Sequence, residues 1–164
     1  MPATSTMFPV GQLFIGGRWR DAASGGSLEV IDPSTGSPIG GIADADASDV
    51  SDAVAAARHA FEDGPWRGWT GRDRAEVLLT IAELVREHGD ELAERESRDV
   101  GKPLAACRRG DINSVANQFA YCASLAQSLH GSTRELQTPA FAHTRREPYG
   151  VVGAITPFNF PLVL

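Results

Sequence analysis

The chain has 164 residues, of which 42% are hydrophobic and 22% charged, a composition that predicts an ordinary folded domain with one core of modest size. The net charge of -6 argues against binding to nucleic acid or to an anionic membrane surface, because both need clustered Lys and Arg. Residues 1–11 lack the basic and apolar regions of a leader peptide, and no later apolar run is long enough to span a bilayer. We therefore expect a cytoplasmic protein.

Turn signals divide residues 12–41 into short apolar stretches. The segments GG (16–17), SGG (24–26) and DPSTG (32–36) each interrupt such a stretch. Glycine supplies the positive φ that tight turns need, and Asp-Pro favours the start of a turn. The pattern predicts a small β element of strands joined by tight turns.

Two helices are predicted after this element. Ser48 is the expected N-cap of the first, which should end at the Gly64-Pro65 pair. Thr70 and the acidic residue three positions later form a capping pair for the second helix, which Gly89 should close.

A short third helix should run to about Asp99, and a longer fourth helix should extend from Pro103 to Gly131, about 40 Å at 1.5 Å per residue. Cys107 and Cys122 both fall on the fourth helix, with Cys122 on its apolar face. They would be about 22 Å apart, beyond the reach of a disulfide. We expect two free thiols, as in a reducing compartment.

The last third of the chain changes character. Residues 132–137 and 141–147 are polar and extended, and they predict a two-stranded ribbon. The run VVGAIT (151–156) is uncharged and β-rich, as in a strand buried on both faces of a parallel sheet. Parallel neighbours need crossovers from later sequence, so this strand and the apolar residues up to Leu164 are expected to lack partners.

Two segments carry a resemblance to a known family. ESRDVGKP (96–103) and PYGVVGAITPFNFP (148–161) resemble segments of the aldehyde dehydrogenase superfamily, in the right order and spacing. FIGGRW (14–19) is similar to the family's opening strand, and DPSTG (32–36) to its early turn. The resemblance covers nearly the whole chain from Leu13 onward.

The resemblance implies an α/β fold, of which this chain would be an incomplete amino-terminal part. Residues 1–131 would form the β element and helices of the cofactor-binding domain, and residues 132–148 a β-ribbon that pairs subunits. Residues 149–164 would contain the first strand of a Rossmann-like parallel sheet and the turn that follows it. The implied reaction oxidises a small-molecule aldehyde to a carboxylate with NAD or NADP, through a cysteine thiohemiacetal, in a homo-oligomer such as a dimer or tetramer.

Asn159 matches the family's oxyanion asparagine. An amide donates hydrogen bonds without titrating, so it can stabilise negative charge that develops on the aldehyde oxygen. On the residues alone, Asn159 could instead be a turn residue or the N-cap of a helix that begins at Pro161.

Ile155, Thr156, Pro157 and Phe158 match the stretch that lines the adenosine half of the cofactor. They would follow the carboxyl end of a strand, where ligands bind in open α/β sheets. The alternative is an ordinary strand and turn. Phe158 departs from the tryptophan that is more usual in the family, so any contact made through an indole N–H is lost.

Asp99 is a candidate ligand for the monovalent cation found in some family members, with the main-chain carbonyls of Val30 and Ile31 completing an oxygen shell. Equally, Asp99 could simply bond into the turn at the end of its helix.

Neither cysteine is a good candidate for the nucleophile. Cys107 has the better electrostatic case, because Arg108 and Arg109 beside it could lower its pKa. The resemblance implies a nucleophile and a general base beyond Leu164, so we expect the chain to be inactive alone. A second hypothesis is a non-catalytic module that pairs through residues 132–147.

Overall fold

The computed structural model describes residues 8–164. The expectation that residues 1–11 carry no leader falls largely on residues 1–7, which lie outside the described range. The elements in chain order are β1 (Leu13–Ile15), β2 (Arg18–Arg20), β3 (Ser27–Ile31), β4 (Pro38–Ala43), α1 (Ala47–Asp63), α2 (Gly71–Glu87), α3 (Gly89–Val100), α4 (Leu104–Ala106), α5 (Ile112–Leu125), β5 (Thr133–Arg134) and β6 (Ala142–His143). A 3₁₀ turn (Pro65–Gly68) separates α1 from α2, and a π-helical turn (Cys107–Asp111) joins α4 to α5.

The predicted β element is present as two antiparallel hairpins. In the β1–β2 hairpin the connecting residues Gly16 and Gly17 have φ of 59° and 80°, a conformation that favours glycine. In the β3–β4 hairpin, the turn is closed by Asp32, whose buried side chain accepts a 2.7 Å bond from the Ser34 N–H. Arg98 of α3 lies 3.4 Å from the other Asp32 oxygen, so this turn is tied to the helices.

Helix α1 begins two residues earlier than predicted, and Ser48 is not its cap. The N-cap is Asp46, whose carboxylate accepts bonds from the backbone N–H groups of Ser48 and Asp49, while the Asp49 side chain accepts from the Asp46 N–H. Two aspartates three residues apart thus form a capping box, because a carboxylate accepts from an exposed N–H as well as a hydroxyl oxygen does.

The prediction for helix α2 is confirmed at its start and wrong at its end. Thr70 and Asp73 form the reciprocal capping box. Gly89, however, does not close α2; His88 separates the two helices, and Gly89 is the buried first residue of α3. A Cβ on Gly89 would lie 3.1 Å from the Ile112 side chain, so a small residue is needed there for packing rather than for a helix stop.

The long fourth helix of the prediction is broken and shorter. After α4, the N–H of Ile112 donates to the carbonyl of Cys107, which makes a π-helical turn, and α5 then ends at Leu125 instead of reaching Gly131. A π-turn keeps the helical direction while adding one residue, and hydrophobic spacing alone does not reveal it.

Helices α2 and α5 pack against each other to form the main interface, and a second cluster lies where α3 meets the π-turn. The second cluster contains Ala93, Cys107 and Ile112, with Leu162 from the end of the chain packed on it. Both cysteines are free, as predicted, but Cys122 is exposed rather than on the buried face. The buried face of α5 consists of Ile112, Val115, Ala116 and Ala123. The small alanine side chains allow α2 and α5 to approach closely.

The carboxyl-terminal segments follow the prediction in part. Strands β5 and β6 pair in antiparallel fashion, so a ribbon forms, although each strand has only two residues. Residues 152–156 are exposed and are not paired as a strand, which agrees with the expectation that this run lacks parallel neighbours. A strand needs a hydrogen-bonded neighbour, and none lies beside this run in the described range. Among residues 8–164, no helix combines the length and apolar character needed to cross a bilayer.

Candidate active site

Asn159 lies in a tight turn near the end of the chain. The Phe160 N–H donates to the carbonyl of Pro157 at 3.5 Å, and the Leu164 N–H donates to the carbonyl of Phe160 at 3.1 Å. Asn159 is exposed, and its side chain makes no hydrogen bond within residues 8–164. Residues 161–163 form one turn, closed by the Leu164 bond, and the Asn159 side chain accepts from none of their N–H groups. The amide is therefore free to donate to a ligand.

Two side chains that follow Asn159 attach this turn to the helices. The Phe160 ring lies under Lys102, with the ammonium 3.7 Å from the ring centroid. Leu162 packs on the cluster around Cys107. On the other side of Asn159, Ile155 and Phe158 are exposed. The position of Asn159 thus depends on contacts made by residues 160–162.

Lys102 is held firmly from the side opposite the ring. Its ammonium lies 2.8 Å from a carboxylate oxygen of Asp111 and 3.4 Å from one of Glu96, and its carbonyl accepts a 2.6 Å bond from the Ser97 hydroxyl. Burial alone would lower the pKa of Lys102, but the bonds to Asp111 and Glu96 outweigh it and raise the pKa. Lys102 therefore remains a cation.

Among Lys102, Asp111 and Glu96, Glu96 has the least favourable electrostatic surroundings. Burial, and then the neighbouring Asp111 carboxylate, raise its pKa, while Lys102 opposes the rise. Its second oxygen, Oε2, is buried and has no hydrogen-bond partner in the described part of the chain. One cation, Lys102, therefore compensates the charge of two acidic groups, Glu96 and Asp111.

The structure weakens the case for Cys107 as a nucleophile. Its side chain is fully buried, and burial, followed by the charges of Glu96 and Asp111, raises the pKa of the thiol. The expectation that Arg108 could lower this pKa is wrong, because Arg108 points to Asp90, 2.8 Å away. A buried thiol with a raised pKa is a poor nucleophile, since the thiolate is the reactive form.

The predicted cofactor-lining residues form one open surface. Ile155, Thr156, Pro157 and Phe158 are all exposed and continue directly into the Asn159 turn. An open, mostly apolar stretch next to a free amide is compatible with one face of an adenosine group, since ligand sites are mostly apolar with a few polar groups. Their contact with the adenosine half of NAD(P) stays a prediction.

A cavity of about 400 Å³ brings together two of the three predicted cation ligands. Val30 and Asp99 both line it, as do Glu96, Pro161 and Leu162, whereas Ile31 does not. Asp99 is exposed at this cavity. Within residues 8–164, no group of three His, Cys, Asp or Glu side chains is arranged to hold a metal ion.

Sequence reasoning missed the acidic groups on which this arrangement depends. Glu96 and Asp111 contact Lys102 from α3 and the π-turn, and Asp49 connects α1 to the β1–β2 hairpin. One signal was available for the first pair: Lys102 is the only lysine among fifteen basic residues. No comparable signal marked Asp111, because the π-turn that buries it cannot be read from spacing.

Comparison with known proteins identifies the family. The family model described as "Aldehyde dehydrogenase family" matches residues 19–164. A benzaldehyde dehydrogenase, named as mitochondrial, from Antirrhinum majus is 42% identical over 153 residues, which is 93% of this chain and 29% of that protein. An aminoacetaldehyde dehydrogenase from Pseudomonas aeruginosa is 44% identical over 151 residues, covering 92% of this chain and 30% of that protein.

Solved structures give the same result. The NAD+ complex of an aldehyde dehydrogenase from Bacillus cereus is 38% identical, with a TM-score of 0.89, and covers 93% of this chain and 31% of that one. The fold is the amino-terminal part of an aldehyde dehydrogenase fold, and the chain belongs to the aldehyde dehydrogenase family. It spans about 30% of the length of the relatives that it matches.

Proposed function

We propose that this chain contributes Asn159 and the first cofactor-facing segment to an enzyme that oxidises an aldehyde to a carboxylate with NAD or NADP. The observation that carries the proposal is the free, exposed amide of Asn159 in a turn attached to the helices by Phe160 and Leu162. An amide in a turn attached in this way can donate a hydrogen bond to the oxyanion as charge develops on the substrate, and it does so without losing a proton.

The other site residues have supporting roles in this proposal. Ile155, Thr156, Pro157 and Phe158 would contact the adenosine half of NAD(P)+, which when bound accepts the hydride from the substrate. Neither cysteine would act as the nucleophile, because Cys107 is buried with a raised pKa and exposed Cys122 has no partner among residues 8–164 to activate it. The 164-residue chain assayed by itself should therefore show no NAD(P)+-dependent aldehyde oxidation.

The test is made on the protein at the length found in the cell. Asn159→Ala should lower kcat about 10²–10³-fold, since that is the usual effect of losing one oxyanion donor. Asn117→Ala is the matched control, because Asn117 is exposed on α5 with only a 3.3 Å bond from Arg86. Equal turnover in the two variants would contradict the role of Asn159.

Three further proposals concern the surroundings of the site. The ribbon of residues 132–148, which is almost wholly exposed, would pair subunits. Sedimentation velocity of variants shortened there should show loss of a defined oligomer.

Asp99, with main-chain oxygens of Val30 and Ile31, would hold a monovalent cation. Added K⁺ should then raise the Tm of the protein, but not the Tm of the Asp99→Asn variant. Two free thiols suit a cytoplasmic location, which imaging of the tagged protein tests.

A further inference from the structure

We propose that Lys102 is a positioning residue for Asn159: held by Asp111 and Glu96, it fixes the ring of Phe160 and thereby the turn that presents the Asn159 amide. This inference rests on the proposed function. It adds to that function the physical link between the helices and the site.

Contacts on several sides restrict the movement of the Lys102 side chain. Its three N–H donors face two carboxylates, at 2.8 and 3.4 Å, and the Phe160 ring, at 3.7 Å from the centroid. Its backbone is fixed by the Ser97 hydroxyl, and Gly101 before it has φ of 73°, which ends α3. A lysine that uses all its donors loses the freedom that this side chain usually has.

The Phe160 ring belongs to the residue next to Asn159 in the chain. Phe160 directly follows Asn159, and its N–H closes the turn onto Pro157. The cation over the ring face is an electrostatic contact that is stronger when both groups are partly removed from water; the Lys102 side chain is 21% exposed and Phe160 is 39% exposed. A shift of the ring therefore shifts the amide.

Few other side chains fix this turn within the described residues. Thr156 and Phe158 are exposed; after Asn159, Leu162 packs on the cluster around Cys107 and Val163 is half-buried. Misplacement of a catalytic group by about 1 Å costs on the order of 10²-fold in rate. The cluster of Lys102, Asp111 and Glu96 is thus placed to influence the reaction without touching the substrate.

The experiment compares Lys102→Met, Lys102→Arg and Phe160→Leu in the protein at its native length, with Phe14→Leu as the matched control. Phe14 is a 59% exposed ring on β1 that contacts Trp19, and it lies outside both the site and the ribbon. Phe160→Leu keeps the buried ion pairs, so it remains informative where Lys102→Met fails to fold. Turnover, KM and backbone hydrogen exchange of residues 158–164 are measured for each variant.

We expect Lys102→Met and Phe160→Leu to lower kcat about 10- to 100-fold with KM changed less than about threefold. Exchange in residues 158–164 should be faster in both, unchanged in Phe14→Leu, and largely restored in Lys102→Arg. In an Asn159→Ala background, either change should cost less than about threefold more, because a positioning residue has nothing left to position.

Two results separate this inference from the function on which it rests. If Asn159→Ala loses turnover while Lys102→Met and Phe160→Leu keep it, or if their losses simply multiply with that of Asn159→Ala, the positioning role is wrong and the proposed function stands. If Asn159→Ala keeps full turnover, the proposed function itself fails.

Discussion

Single side chains connect parts of this protein that are distant in sequence, and Asp49 is the clearest case. Its buried carboxylate accepts from the Ala23 N–H at 3.1 Å and from Arg20 at 2.9 Å, besides closing the capping box of α1 with Asp46. It therefore joins the segment after β2 to the first turn of α1. Charged groups that accept several bonds away from water contribute more than exposed ion pairs.

Asp49→Ala should lower the free energy of unfolding by about 2–3 kcal/mol, because backbone and guanidinium donors lose a charged acceptor. Asp52→Ala is the control: Asp52 also lies 3.0 Å from Arg20, but its side chain is 61% exposed, against 1% for Asp49. Its loss should cost less than about 0.5 kcal/mol. Urea unfolding measures both values, and similar losses would mean that burial does not set the strength of these contacts.

At the scale of elements, helix ends are defined by local residues and their positions are set by neighbours. Gly101 illustrates both. It has φ of 73° and terminates α3, and a Cβ at this position would lie 2.8 Å from the Pro33 ring. The end of α3 and the turn after β3 are thus in contact through a glycine.

Gly101→Ala should therefore destabilise the protein more than a glycine substitution that introduces strain alone. Gly25→Ala is the matched control, since Gly25 has φ of 70° and nothing within 4 Å of its added Cβ. The left-handed conformation costs about 1–2 kcal/mol in each variant. Only Gly101→Ala should show a further fall in Tm from the contact with Pro33, and equal Tm values would rule that contact out.

The sequence predicted these elements well wherever the signal was local. The capping box at Thr70 and the glycine turn of the first hairpin both depend on residues within a few positions of each other, and both are confirmed. The ribbon pairs Thr133 with His143, farther apart in the chain, and forms only in part. Prediction failed where packing decided. On α5, Ala116 and Ala123 are buried while Cys122 is exposed, and Gly89 packs closely against Ile112 instead of ending a helix.

In the candidate site, too, the local motif was predicted from the sequence and the packing around it was not. Asn159 and its neighbours were identified by a motif, and the family membership that the motif implied is confirmed. The contact between Lys102 and Asp111 was not predicted, because the two residues are nine positions apart and meet through the π-turn. The roles of the site residues themselves remain predictions for experiment.

For the whole molecule, the titrating carboxylates determine how stability changes in acid. Hydrogen bonds lower the pKa of three aspartates below the ordinary value of 3.8: from the Ser34 backbone for Asp32, from the Ser48 side chain for Asp46, and from the Thr70 side chain for Asp73. A lowered folded-state pKa gives stability that is present above the unfolded value and lost as pH falls through the folded value.

Stability should therefore decline as pH falls below about 4, and the decline should be shallower in a variant carrying Asp32→Asn, Asp46→Asn and Asp73→Asn. Glu96 acts in the opposite direction, since its raised pKa makes the folded state favour the protonated form. Urea unfolding between about pH 3 and pH 7 measures the slope. An unchanged acid slope in the triple variant would show that these aspartates do not control it.

The π-helical turn at Cys107–Asp111 also bears on how chain length can vary. One residue of insertion is already accommodated there, as a wider loop of backbone between two ordinary helical stretches. Deletion of exposed Gly110, which has no atom within 4 Å of an added Cβ, would leave a continuous helix with a different rotational phase. After this deletion, Asp111 and the buried face of α5 could not both keep their contacts, with Lys102 and with α2 respectively. The extra residue therefore allows both contacts to form on one helical segment.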